Sequence, residues 1–233
     1  MQPVLPIAAA GAAAFMSWAV RGRSSPVFGR TLWRGPRGRR TLALTFDDGP
    51  SEGTPRILEI LARHQAPATF FQCGVNVERL PSIAREVREA GHEIGNHSHT
   101  HPLFCFRSPG FIAADLARAQ AAIERHTGFR PVWYRAPFGV RWFGMCRAQR
   151  RLGLESVMWT AIGYDWKLKA NEIIERIMAG ASEGAILCLH DGCELRARPE
   201  TGETAVALGR LLPRLLDEGY KFETVSRLVC PTT

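Results

Sequence analysis

The sequence predicts an α/β fold, a mainly parallel sheet rolled into a compact barrel. From residue 41 onward, short apolar runs alternate with helical patterns, the rhythm of repeated strand–helix units. Seven or so such units in fewer than 200 residues suit a barrel better than a two-domain open sheet. Acidic residues and histidines also fall where the predicted strands stop, and the C-terminal rim of a parallel barrel is where side chains from distant strands can meet.

Composition agrees with one globular body. The chain has 233 residues, 45% hydrophobic and 22% charged, which excludes a disordered polymer, a collagen-like chain and a polytopic membrane protein. Its net charge of +8 is local: residues 1–46 hold seven arginines and no acidic residue, leaving 23 basic against 22 acidic residues beyond. The basicity therefore belongs to an N-terminal arm, residues 1–40, that favours anionic lipid or polymer; a phosphate-tracking groove, and with it nucleic acid, is not expected. Residues 3–20 are uncharged and followed by Arg21, Arg23 and Arg30. Rich in Ala and Gly, this stretch is read either as an apolar helix packed on the body, as a signal-anchor giving membrane association, or as a cleaved signal. The six cysteines contain no C-x-x-C pair, and Cys73 and Cys188, inside apolar runs, read as small core residues.

In order, TLALTF (41–46) reads as a strand, and Thr54-Pro55 opens a helix carrying Ile57, Leu58 and Leu61. ATFFQC (68–73) is the next strand. A helix from about Ser82 to Ala90, stopped by Gly91, leads into HEIGN (92–96), and a longer one with Ile112, Leu116, Ala119 and Ile123 ends near Gly128. VWYR (132–135), ESVMWT (155–160), AILCLH (185–190) and KFETV (221–225) are further strands, separated by helices around 142–151, 170–179 and 203–218.

At the predicted strand ends lie Asp47 and Asp48, then His97, His99 and His101, then Arg135, Asp165 and His190. One helical turn would bring His97 and His101 to a single ion, with Asp48 as an acidic third ligand; an extended segment would instead present His97, His99 and His101 together. We take the helical-turn pair. His92, at the start of a strand, reads as a core histidine. Adjacent carboxylates in an extended backbone diverge, so one of Asp47 and Asp48 can bind metal while the other serves as general base beside Arg135. Two imidazoles and one carboxylate leave coordination positions open, the mark of a catalytic site.

TFDDGP, HSHTH, YRAPFG, YDW and LCLH, in that order and spacing, resemble the polysaccharide deacetylases that carry the NodB homology domain, carbohydrate esterase family four. The resemblance covers about residues 41–227, including TPRILEILARHQAPATFFQCGVNV and REAGHEIGNHSHTHP. It implies a distorted (β/α)7 barrel, with residues 41–233 as the catalytic domain, one divalent metal ion, and hydrolysis of an acetyl group on a sugar. It matches Asp47 to the general base, Asp48, His97 and His101 to the metal ligands, and Arg135 to the arginine holding the base. It matches Phe138 to the backbone N–H of the oxyanion hole, and Trp166 and Leu189 to the apolar wall near the acetyl methyl. His190 matches the general acid, and Asp165 the carboxylate that tunes it. Two positions depart from the family pattern: Ile162 stands where a second aspartate is frequent, and Phe138 where a tyrosine is.

The expected activity is removal of N-acetyl groups from N-acetylglucosamine-containing glycans of chitooligosaccharide or peptidoglycan type, with Zn2+ as the metal and Co2+ or Ni2+ as alternatives. O-acetyl ester cleavage on a xylan-like glycan, deacetylation or deformylation of a lipid-linked sugar, and a catalytically dead sugar-binding module remain as other readings. A metallohydrolase of the H-x-H-x-D-H type does not fit, because Pro102 follows His101 and no aspartate lies between the histidines. A monomer acting at the cell envelope is expected.

Overall fold

The computed structural model describes residues 4–230, so the first residue of the apolar 3–20 stretch and the last three of the 41–233 domain lie outside it. The chain runs α1 (Val4–Arg21), β1 (Thr31–Leu32), β2 (Thr41–Asp47), α2 (Thr54–Arg63), β3 (Ala68–Gln72), α3 (Gly74–Arg79), α4 (Pro81–Glu89), β4 (Glu93–Asn96) and α5 (Pro109–Thr127). It continues through β5 (Trp133–Tyr134), a 3-10 turn (Pro137–Gly139), α6 (Met145–Leu152), β6 (Glu155–Val157), β7 (Ala161–Ile162), α7 (Ala170–Gly180), β8 (Ile186–His190), α8 (Gly202–Asp217), β9 (Lys221–Phe222) and α9 (Val225–Val229).

The named strands all pair in parallel, in the order β1-β6-β5-β4-β3-β2-β8-β7, with β9 added to the start of β2. The result is the expected α/β barrel, curled and distorted, its end strands β1 and β7 unpaired with each other. Burial explains the strand sequences. All seven residues of β2 are buried, as a central strand covered on both faces requires. The main core lies where β2, β3 and β8 meet α2, α7 and α8, with Phe46 and Phe70 stacked at 4.9 Å. Each such fully buried side chain contributes roughly 1.5–3 kcal/mol.

Helix ends follow local chemistry. The Ser108 hydroxyl accepts the Phe111 N–H at the start of α5, and Gly128, at φ 67°, closes it in the left-handed conformation. The KFETV stretch is a strand for two residues only, because the Thr224 hydroxyl accepts the Arg227 N–H and turns the chain into α9. The short β1, β7 and α3 were not expected; two-residue strands and one-turn helices carry no readable period.

The arm joins the body rather than trailing from it. β1 pairs with β6. Ala19 and Val20, the last apolar pair of α1, pack with Phe28 and Val140. Fully buried Arg141 clamps the segment, donating to the Ser25 carbonyl (2.7 Å), the Thr31 hydroxyl (2.8 Å) and the Gly22 carbonyl. The helix before that turn is exposed from residue 9 to residue 18, including Phe15, Met16 and Trp18. Among the described residues no helix is long and apolar enough to cross a membrane.

Candidate active site

Register brings the strand-end residues together. Asp47 pairs with His190 across β2 and β8, and Asn96 pairs with both Gln72 and Tyr134, so Asp48, His97 and Arg135 emerge at one rim. A cleft of about 1070 Å3 opens there, lined by Asp47, Asp48, His97, His101, Phe138, Trp166 and His190 among others.

His97 and His101 meet at Asp48, with Nε2 atoms 3.2 and 3.0 Å from its Oδ1. They do so without a helical turn, which corrects the expectation: residues 97–102 form an irregular bend with Ser98 at φ 68° and His101 at φ 49°. Side chains beneath hold that bend. The Asn96 carboxamide oxygen accepts the Ser98 N–H (2.8 Å), the Ser98 hydroxyl accepts the His101 N–H (3.0 Å), and the Asp115 carboxylate accepts the His99 N–H (2.8 Å). His99 points away, to Arg118 Nη2 at 2.9 Å, so the three-histidine geometry does not form. His92 is a satisfied core residue: its Nδ1 accepts the Ala68 N–H, and burial pushes its pKa down to about 4.

The carboxylates diverge because Asp47 ends β2 in extended backbone while Asp48 sits at φ 72° in the left-handed region. Burial alone would raise the Asp48 pKa; hydrogen bonds from His101 and His97 override it and hold the carboxyl well below the usual range. Its other oxygen accepts the Glu194 N–H at 2.8 Å. Gly192 is required beside it, since a Cβ there would strike the Asp48 carbonyl. Asp47 turns instead to Arg135, whose Nη1 donates to Oδ1 at 2.7 Å and to the Thr45 hydroxyl at 2.8 Å. Arg135 is fully buried, further bonded to the Met158 and Val157 carbonyls, with its guanidinium 4.2 Å over the Phe71 ring.

His190 Nδ1 lies 2.8 Å from Asp165 Oδ1; Asp165 Oδ2 accepts both the His190 N–H and the Thr204 hydroxyl proton, each at 2.8 Å. Burial pushes the imidazole down, but the Asp165 carboxylate, with smaller contributions from Asp48 and Asp47, raises its pKa to about 9. Trp166 stands edge-on to His190 at 4.7 Å and Phe138 edge-on to His101 at 4.7 Å. Phe138 carries φ 58°, a conformation costly for a bulky residue and concentrated at functional sites.

Leu189 is the assignment the structure overturns. Neighbouring residues on a strand face opposite ways, and with His190 toward the cleft, Leu189 is fully buried in the core against Gly163. Cys188 shares the His190 face instead, its Sγ 3.5 Å from Asp47 Oδ2. Other site residues missed in the sequence are Asp115 and Asp191. Asp191 is fully buried behind the DDGP turn, bonded to the Thr54 hydroxyl at 2.6 Å, and pushed up to about 7 by burial and by Asp48.

Among the described residues, two clusters bring three ligand atoms within 4.8 Å of one another: Asp48 with His97 and His101, and Asp47 with Cys188 and His190. The first fits a divalent cation. Its 3.0 and 3.2 Å donor separations approach the edge, about 3.4 Å, of a tetrahedron with bonds of about 2.1 Å. His97 Nδ1 also donates to the Arg135 carbonyl at 2.9 Å, leaving Nε2 free to ligate, the usual outer-shell arrangement. The second cluster is disfavoured by Arg135, whose Nη1 lies 2.7 Å from Asp47 and 3.6 Å from Cys188 Sγ.

An α/β barrel with a histidine–carboxylate cation site at its rim, beside an acid and a base candidate, is the class these features define. The sequence model of the polysaccharide deacetylase family matches residues 34–157, and the chain belongs to that family. It is 34% identical to the peptidoglycan-N-acetylglucosamine deacetylase PgdA of Listeria monocytogenes over 81% of this chain, although it spans only 39% of that protein's length. It is 33% identical to a chitooligosaccharide deacetylase of Sinorhizobium fredii, over 82% of this chain and 93% of that one. The crystal structure of the Bc1960 peptidoglycan N-acetylglucosamine deacetylase superimposes with a TM-score of 0.79 at 28% identity, covering 87% of this chain and 94% of that one.

Proposed function

We propose that this chain is a metal-dependent hydrolase that removes N-acetyl groups from N-acetylglucosamine-containing glycans, releasing acetate. The observation that carries the reading is the convergence of Asp47, Asp48, His97, His101 and His190 on one cleft. The relatives named for peptidoglycan and chitooligosaccharide deacetylation supply the substrate class.

Asp48, His97 and His101 would hold the cation, which would supply Lewis acidity toward the acetyl carbonyl and lower the pKa of water. Zinc is the proposed metal; cobalt and nickel suit the same donors. Asp47, oriented by Arg135, accepts the proton of the attacking water. The left-handed turn at Phe138 offers a backbone N–H to the oxyanion that forms, a donor whose loss typically costs about 10²- to 10³-fold in rate. Protonated His190, held by Asp165, gives its proton to the departing amine nitrogen, without which an amide is a poor leaving group. Trp166 lines the cleft beside His190, where the acetyl methyl would rest.

Residues 41–233 form the catalytic domain and residues 1–40 the arm, in a monomer that works at the cell envelope. Exposed Phe15, Met16 and Trp18, followed by the exposed arginines Arg30 and Arg37, favour association of α1 with an anionic lipid surface. The test is acetate release from chitooligosaccharides, peptidoglycan and acetylated xylan, with and without chelator. Chelator-sensitive release from the first two supports the reading; release from xylan alone favours ester hydrolysis, and none from any substrate contradicts it.

A further inference from the structure

The arm forms part of the cleft wall. Arg21, in the last turn of α1, and Arg23, just beyond it, line the same cleft as Asp47, Asp48, His97, His101 and His190. The Arg23 side chain and the backbone that carries both residues are held in place. Arg23 Nη1 donates to the Thr160 carbonyl and to that of Trp159 (3.3 Å), while the Arg141 side chain grips the carbonyls of Gly22 and Ser25 and its N–H donates to the Val20 carbonyl at 3.1 Å. Among the described residues neither Arg21 nor Arg23 has a carboxylate within ion-pair distance. Of the other charged residues on this wall, Glu175 is paired with Arg214 at 3.1 Å, and Arg176 donates to the Ile162 carbonyl with its guanidinium 4.4 Å over Tyr164. Glu194 also lines the cleft, its backbone N–H bonded to Asp48.

A neutral N-acetylated sugar can offer these two guanidinium groups hydroxyl and carbonyl acceptors but no charge partner, and the protein supplies none among the described residues. We infer that Arg21 and Arg23 form an anion subsite, so that the preferred substrate carries a carboxylate or phosphate on a sugar neighbouring the one that loses its acetyl group. The inference rests on the deacetylase reading and adds the charge of the substrate. A planar guanidinium fork matches either anion. A carboxylate would come from an acidic ether on the next sugar of a polymer, a phosphate from the reducing end of a glycosyl phosphate.

The test compares four N-acetylglucosamine oligomers of equal length. One is neutral, one alternates with N-acetylmuramic acid, one is that oligomer with its carboxylates converted to methyl amides, and one ends in a 1-phosphate. Kinetics are measured for the wild type, Arg21→Gln, Arg21→Glu and Arg23→Gln. The expected result is a lower KM for an anionic oligomer than for its neutral counterpart. Arg21→Gln should raise that KM on the order of tenfold more than the KM for the neutral oligomer, with the difference in KM rather than kcat. Arg21→Glu should raise it further, and about 0.5 M salt should erase the preference. Response to the muramic oligomer alone assigns the carboxylate source; response to the 1-phosphate alone assigns the phosphate. Equal KM values for all four oligomers, unmoved by any of the three substitutions, overturn the inference. Absence of turnover on every oligomer would sink the deacetylase reading instead. The subsite is then judged by calorimetric titration of the same oligomers into Asp47→Asn, where equal affinity for charged and neutral forms overturns it.

Discussion

Replacing Asp165 by Asn removes a charge while keeping the shape of the side chain that holds His190. In the native site the imidazole is raised from 6.5 to about 9, with Asp165 the largest contributor to the rise. A group of pKa about 9 is roughly 90% protonated at pH 8, whereas one near 6.5 is roughly 3% protonated, so the supply of general acid falls by about 30-fold. The sign follows from the role: protonated His190 is the active form, so activity is retained at low pH and lost as pH rises through the pKa. A dication on Asp48 offsets that residue's share of the rise and burial still pushes the imidazole down in the variant, so the loss from deleting the Asp165 share is on the order of 30-fold. The assay is kcat/KM for acetate release between pH 5.5 and 9.5 at saturating metal. The expected result is an alkaline limb moved to lower pH in Asp165→Asn, with a small loss at pH 5.5 and a large one at pH 8. An unmoved limb would refute the assignment of His190 and Asp165 as acid and tuning carboxylate.

Asp47→Asn should keep its metal, measured by elemental analysis, yet lose about 10²- to 10⁴-fold in turnover; full activity ends the base assignment. His99→Ala should retain metal while losing about 0.5–1.5 kcal/mol of stability with its contact to Arg118, and a fall in metal content would revive a three-histidine site. Arg135→Met strands the buried Asp47 carboxylate, with an expected cost of about 3–5 kcal/mol in chemical denaturation. A cost below 1 kcal/mol would show that the pair is not needed to hold Asp47 in place.

Much of the barrel was legible because its strands are buried on both faces and so read as short apolar runs: TLALTF became β2 and AILCLH became β8 with ends shifted by about one residue. Residue types at strand ends then located the rim. Backbone detail was not legible. The HSHTH segment brings two imidazoles together through left-handed residues braced by Asn96, Ser98 and Asp115, and no side-chain period records such a bend. Leu189 was misplaced for a different reason: the strand's alternation, anchored on His190, already assigns the cleft face to Cys188, and the motif match overrode it. Arg21 and Arg23 carried no motif, and their place in the cleft depends on Arg141, a contact separated from them by more than 100 residues.

The most direct measurement counts metal in purified protein for the wild type, Asp48→Ala, His97→Ala, His101→Ala and Asp47→Asn, each confirmed folded by circular dichroism. Near one divalent ion per chain is predicted in the wild type and in Asp47→Asn, with loss of that ion in the other three. Unchanged occupancy in Asp48→Ala, or loss in Asp47→Asn alone, would contradict the division of labour between the two adjacent carboxylates.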